Sequence, residues 1–112
     1  MVLTLEEVTP LKNHLQAQIE AKVKVAVKKK SRYGQLALGL AVVLLTQSKN
    51  TPITHFQVAS GIQDVRNRTV GSMSALQAQM LILSKYGLLR KVSTNYCNEY
   101  YITVALLPEG DL

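Results

Sequence analysis

Twelve residues near the middle of the chain, "RNRTVGSMSALQ" from Arg66 to Gln77, hold two guanidinium groups, two amides and three hydroxyls. A guanidinium is a rigid fork of donors that suits anionic oxygens, and an amide presents a donor and an acceptor side by side. Arg66, Asn67, Arg68, Thr69, Ser72, Ser74 and Gln77 are therefore candidates for contact with a polyanion and with hydrogen-bonding edges, and Lys85, Arg90 and Lys91 follow closely in the chain. From Lys49 to Lys91 the only acid is Asp64. The chemistry expected here is binding, with cations for charge and amides for recognition.

Other chemistry finds few residues to use. His14 and His55 stand far apart with no second histidine or acid in ligand spacing, so neither metal nor cofactor is expected. No paired acid, nucleophile–base arrangement or phosphate loop occurs, and no enzyme is expected. Cys97 is the sole cysteine, which excludes an intrachain disulfide and a multi-cysteine metal site.

The 13 Lys and Arg against 7 Asp and Glu give a net charge of +6, a balance that draws polyanions. A second basic cluster runs Lys22, Lys24, Lys28, Lys29, Lys30 and Arg32. The opening "MVLTLEEVTP" has acids where a secretion signal has bases, and a cytoplasmic protein is expected. "YGQLALGLAVVLLTQS" is uncharged, but its strongly apolar part, 36–45, is about half of the ~20 residues a membrane span needs. A buried helix is expected there, with no membrane partner. No small-molecule ligand is evident.

These side chains need elements to position them. Thr9 before Pro10 reads as a helix start, and Leu11, Leu15, Ile19, Val23 and Val27 recur every four residues, predicting a helix over residues 10 to 30. Within it "KVKVAVK" alternates with period two and also fits a strand. The four-residue stripe drifts around the helix, as packing on both its own domain and a second subunit would require. A second helix is expected over 35–48. The polar turn 48–54 follows, with Ile53 apolar and Thr54 as a cap. A short helix over 55–62 ends at Gly61, and a longer helix ends at Gly87. That longer helix starts either with Asn67 as cap or with Ser72 as cap. Thr69, Met73, Leu76, Met80 and Leu83 fall on one face, leaving Arg68, Ser72, Gln77 and Gln79 for the outside. "LLRKVST" and "NEYYITVAL" then read as two strands around the turn "TNYCN", with one of Tyr100 and Tyr101 in the core and Tyr96 at the tip.

The fold class expected is mainly α with a small β-hairpin, α+β. The order helix, short strand, helix, turn, longer helix, hairpin over about residues 35 to 107 resembles the winged helix-turn-helix superfamily. "VASGI" resembles the turn between the two motif helices, "RNRTV" a recognition-helix start, and "LSKYGLLRKV" the junction before the wing; Tyr100 to Thr103 resemble the returning wing strand. On that resemblance residues 33–112 form the winged helix-turn-helix domain, and 1–32 an extra N-terminal helix that serves dimerisation. The wing departs from the strongest pattern, because "STNYCNE" has no Arg or Lys at its tip.

An α-helix fits the DNA major groove, where Gln pairs with adenine and Arg with guanine. The function implied is sequence-specific binding of double-stranded DNA by a homodimeric transcriptional regulator. Arg66, Asn67, Arg68, Thr69, Ser72, Ser74, Gln77, Lys85, Arg90, Lys91 and Tyr96 are the candidate contacts. The alternative is a winged-helix protein-interaction module acting on transcription or replication machinery, leaning on exposed apolar residues such as Val70 or Tyr96. Fold alone does not choose between them.

Overall fold

The computed structural model describes residues 4–23, 33–47, 51–66, 73–103 and 105–106. They form four helices, α1 (Leu5–Lys22), α2 (Gly34–Thr46), α3 (His55–Arg66) and α4 (Met73–Lys85), followed by an antiparallel hairpin of β1 (Leu89–Ser93) and β2 (Asn98–Ile102). The architecture is mainly α with a two-stranded hairpin, as the sequence predicts.

The first helix starts earlier than Thr9. Thr4 and Glu7 make a reciprocal capping box, in which the Glu7 N–H donates to Thr4 Oγ1 at 3.2 Å and the Thr4 N–H donates to Glu7 Oε1 at 3.2 Å. That double cap sets the start at Leu5 and leaves Pro10 inside the helix, where its missing N–H leaves the Glu6 carbonyl without a helical donor. Glu6 is exposed, so water can fill that place. At the other end Val23 is already extended, with φ −92° and ψ 105°, so the helix stops where the period-two alternation begins. Residues 24–32, including Val27 and the basic cluster beyond Lys22, lie outside the described residues. Leu15, Ile19 and Val23 are buried as the stripe predicts.

α2 is the central element. Eight consecutive residues from Leu36 to Val43 are buried, and the helix packs against both α1 and α3. No helix among the described residues is long and apolar enough to cross a membrane. The uninterrupted apolar run is instead what a helix needs when it is surrounded by other helices.

α3 corrects the short helix expected over 55–62. Thr54 caps it as predicted, with a reciprocal bond pair to Gln57 at 2.9 and 3.3 Å, but the helix runs on to Arg66. Gly61 is not its end, and "VASGI" is not a turn. Gly61 is buried inside α3 because a Cβ there would meet Val42 Cβ at 3.0 Å. Gly39 on α2 is tighter still, since an added Cβ would lie 2.7 Å from the Val58 backbone oxygen and clash with Val58 Cγ1. The two glycines let α2 and α3 approach backbone to backbone. Arg66 consequently sits at the C-terminal end of α3 and not at the start of the next helix.

A backbone bridge ties the hairpin to the segment that precedes α3. Ile53 bridges Tyr100 of β2, with N–H to carbonyl bonds in both directions at 2.7 and 2.8 Å. Tyr100, Leu89 and Ile53 are buried in the same core as all four helices.

The glycine contact makes a testable claim. Gly39→Ala should lower the free energy of unfolding by about 1–3 kcal/mol, since backbone oxygen cannot yield as a side chain can. Gly34→Ala, whose added Cβ would come no closer than 3.8 Å to Gln16, should be neutral or slightly stabilising. Urea melts of the two variants give the comparison; equal midpoints would mean the helices have room to separate.

Candidate nucleic-acid interface

α4 buries one face and bares the other because of its spacing. Leu76, Gln79, Met80 and Leu83 are buried, Met73 is half-buried, and Ser74, Ala75, Gln77, Ala78 and Lys85 are exposed. Gln79, expected outside, is a correction: it lies three residues after Leu76 and four before Leu83, which puts it on the core face. Gln77 is exposed as predicted, and its side-chain amide makes no hydrogen bond within the described residues.

The helix ends as Gly87 predicts. Gly87 has φ +78°, the left-handed region that glycine adopts without strain. The Leu88 N–H bonds the Leu83 carbonyl at 3.0 Å and the Gly87 N–H bonds the Ser84 carbonyl at 3.3 Å, the pair of bonds of a Schellman cap. Leu83 and Leu88, both buried, complete it. Thr103 locks the junction from the far strand, its hydroxyl donating to the carbonyls of Gly87 and Leu88 at 2.9 Å each. Sequence reading places Thr103 only in a strand; no local signal marks a bond that spans the whole hairpin.

β1 carries its cations outward. Leu89 is buried and the following four residues are exposed, including Arg90 and Lys91. Arg90 pairs across the hairpin with Tyr101, and its guanidinium lies 4.6 Å from that ring's centroid, a contact worth about 0.5–1 kcal/mol at an exposed site. Neither Arg66, Lys85 nor Lys91 has an ion pair among the described residues. The hairpin turn is organised by Thr94, whose hydroxyl donates to the Cys97 carbonyl at 2.6 Å and accepts from the Cys97 N–H at 3.1 Å. Tyr96 stands out from this turn, 96% exposed.

The candidate residues thus divide. Ser74, Gln77 and Lys85 share the open side of α4. Arg90 and Lys91 follow on β1, and Tyr96 tips the hairpin. Arg66 ends α3. Asn67, Arg68, Thr69 and Ser72, with both candidate starts of the helix, lie outside the described residues, as does Val70.

Sequence reading assigned His55 no role, yet the fold gives it a place. It is buried at the start of α3, its ring 4.1 Å from that of Phe56, and it lines a cavity of about 280 Å³ with Gln77, Ala78, Leu81, Asn98 and Tyr100. The spacing of His55, Val58 and Ile62 along one helix face was the available signal for its burial. Burial holds the His55 pKa below the ordinary 6.5 by disfavouring the charged ring. Comparison with protein-family models, with curated proteins and with solved structures finds no match for the chain.

A histidine whose folded-state pKa is depressed stabilises the fold fully above its unfolded pKa. Below that, the unfolded chain takes up a proton that the folded chain refuses, so stability falls with pH. The urea midpoint should therefore decline as pH is lowered from 6.5, and His55→Gln should flatten that part of the profile. An unchanged slope in the variant would assign the decline to other groups.

Proposed function

We propose that this chain is a winged helix-turn-helix that binds double-stranded DNA in a sequence-specific way, as a homodimeric transcriptional regulator. The observation that carries the reading is the open side of α4, where Gln77 holds an unspent donor and acceptor and from which the chain passes directly, through Gly87, to the exposed Arg90 and Lys91. The order α2, bridged Ile53, α3, α4 and hairpin supports the fold assignment. A helix bare on one face and braced on the other fits a major groove, and cations on the adjoining strand suit phosphate.

In this reading Gln77 and Ser74 meet base edges, Lys85, Arg90 and Lys91 meet phosphate, and Tyr96 meets the backbone beyond the helix. Asn67, Arg68, Thr69 and Ser72 remain assigned to DNA by sequence. The bare face is also partly apolar at Ala75 and Ala78, a surface that suits a thymine methyl group. One such module spans few base pairs, so specificity calls for a second copy on a second half-site. The face of α1 turned away from the core presents Pro10, Asn13, Ala17 and Ala21, a flat row on which a second α1 could lie closely.

The exposed aromatic residues Phe56, Tyr86 and Tyr96 favour a second reading, a protein-interaction module. Salt separates the two. Duplex affinity should fall with a log–log slope near 0.9 per neutralised phosphate, and replacing Arg90 and Lys91 by Ala should flatten that slope while weakening all sequences alike. Salt-independent association would favour the protein partner.

Readout has its own test. Selection from a random duplex pool should enrich an inverted repeat, and on that site Gln77→Ala should cost about 1–3 kcal/mol while nonspecific binding stays nearly unchanged. Leu76→Ala, on the buried side of the same turn, should lower stability by about 2–5 kcal/mol and reduce binding only through unfolding. Equal binding of Gln77→Ala and the parent chain on selected and unrelated duplexes would remove this face from base recognition.

A further inference from the structure

We propose that Asn98 is a positioning residue for base recognition: its amino group holds the oxygen of the Gln77 amide and so decides which way that amide meets a base edge. The role rests on the DNA reading of α4 and adds to it a residue from a different element.

The two-residue period of a strand puts Asn98, Tyr100 and Ile102 on one face of β2. Tyr100 is buried, so this face is the one turned toward the helices. Asn98 is the member nearest the hairpin turn, and it lines one cleft together with Gln77 and Ala78 of α4.

Two features fix how Asn98 presents its own amide. It stands in register with Ser93 across the hairpin, and the Ser93 hydroxyl donates to its Oδ1 at 3.2 Å. With the oxygen engaged, the end of the amide left open is the donor end. The strand beneath it is anchored two residues on, where Tyr100 and Ile53 exchange backbone bonds at 2.7 and 2.8 Å.

Gln77 has the opposite character. It is exposed, and its amide makes no hydrogen bond within the described residues. A glutamine side chain in that condition turns freely, and it loses that freedom when it meets a base. Order matters at a base edge: adenine offers an amino donor beside the N7 acceptor, and a reversed amide sets donor against donor. No Lys, Arg, Asp or Glu lines the cleft, so no ion there competes for the Gln77 amide. The relay therefore runs from the Ser93 hydroxyl to Asn98 Oδ1, and from the Asn98 amino group to Gln77 Oε1. That oxygen has a second lone pair, with which it accepts from the adenine amino group while Gln77 Nε2 donates to N7. A preference for adenine at the position read by Gln77 is the consequence.

A duplex is selected from a random pool with the full chain. Parent and variants are then titrated with that duplex, with versions of it changed at one base pair at a time, and with an unrelated duplex of equal length. Asn98→Ala should weaken the selected duplex about three- to tenfold, relax one adenine position, and leave both the unrelated duplex and the melting temperature unchanged. Ser93→Ala, which lets the Asn98 amide turn, should produce the same change to a smaller extent. In a Gln77→Ala background neither substitution should have a further effect, an outcome that a structural role in the hairpin does not produce. Equal weakening of both duplexes, additive losses in that background, or an unchanged base preference in Asn98→Ala overturns the proposal. Where Gln77→Ala loses the preference and Asn98→Ala keeps it, the positioning role falls and the DNA reading stands. A parent chain that selects no duplex removes both.

Discussion

Two backbone hydrogen bonds between Ile53 and Tyr100 hold the hairpin to the helices. Each contributes about 1 kcal/mol net, and burial of the Ile53 side chain adds roughly 1.5–3 kcal/mol. An isolated two-stranded hairpin is marginal in water, so the strands depend on this anchor for their persistence. The position of Arg90 and Lys91 relative to α4 follows from it, as does the cavity, whose wall on the β side includes Tyr100 itself. The Schellman cap at Gly87 and the Thr103 hydroxyl fix the other side of the same junction. The presentation of α4 is thus set twice, once through its own end and once across the sheet.

Behind that junction, Gly39 and Gly61 decide how thick the helical layer is. Where a side chain at either position would hold α2 and α3 apart, their absence lets Val42, Val58 and Ile62 fill the seam. α4 then closes over α3, with Leu76, Met80 and Leu83 inward. The outward bareness of α4 is a consequence of this packing: once the core stripe is spent, no further element among those described covers its other side.

Much of this was legible in the residues. The Gly87 stop, the Thr54 cap, the buried run from Leu36, the core face of α4 and the burial of one of Tyr100 and Tyr101 all follow from local chemistry or periodicity. The failures share a cause. Thr9 before Pro10 reads as the start of α1, but Thr4 and Glu7 bond reciprocally upstream of it and set the start at Leu5. Gly61 looked like a stop because a glycine required by a facing helix has the same local signature as one that ends a helix. The polarity of Gln79 points it outward, but its spacing from Leu76 and Leu83 places it inside. The cavity joins residues from three elements, and no local pattern announces such a meeting. Of the candidate contacts, Gln77, Arg90, Lys91 and Tyr96 were found exposed as expected, while the segment 67–72, chosen by sequence, lies outside the described residues.

The sheet has one further property. β2 is paired on both sides, by β1 and by Ile53, whereas β1 has β2 as its only described neighbour and so forms a rim of unpaired main-chain groups. A bare rim of this kind is a template on which strands from other molecules can add, the first step of uncontrolled aggregation. Arg90 and Lys91 stand exposed on that rim, and their charge makes lateral growth costly. The same two side chains can therefore keep the protein from polymerising through its hairpin.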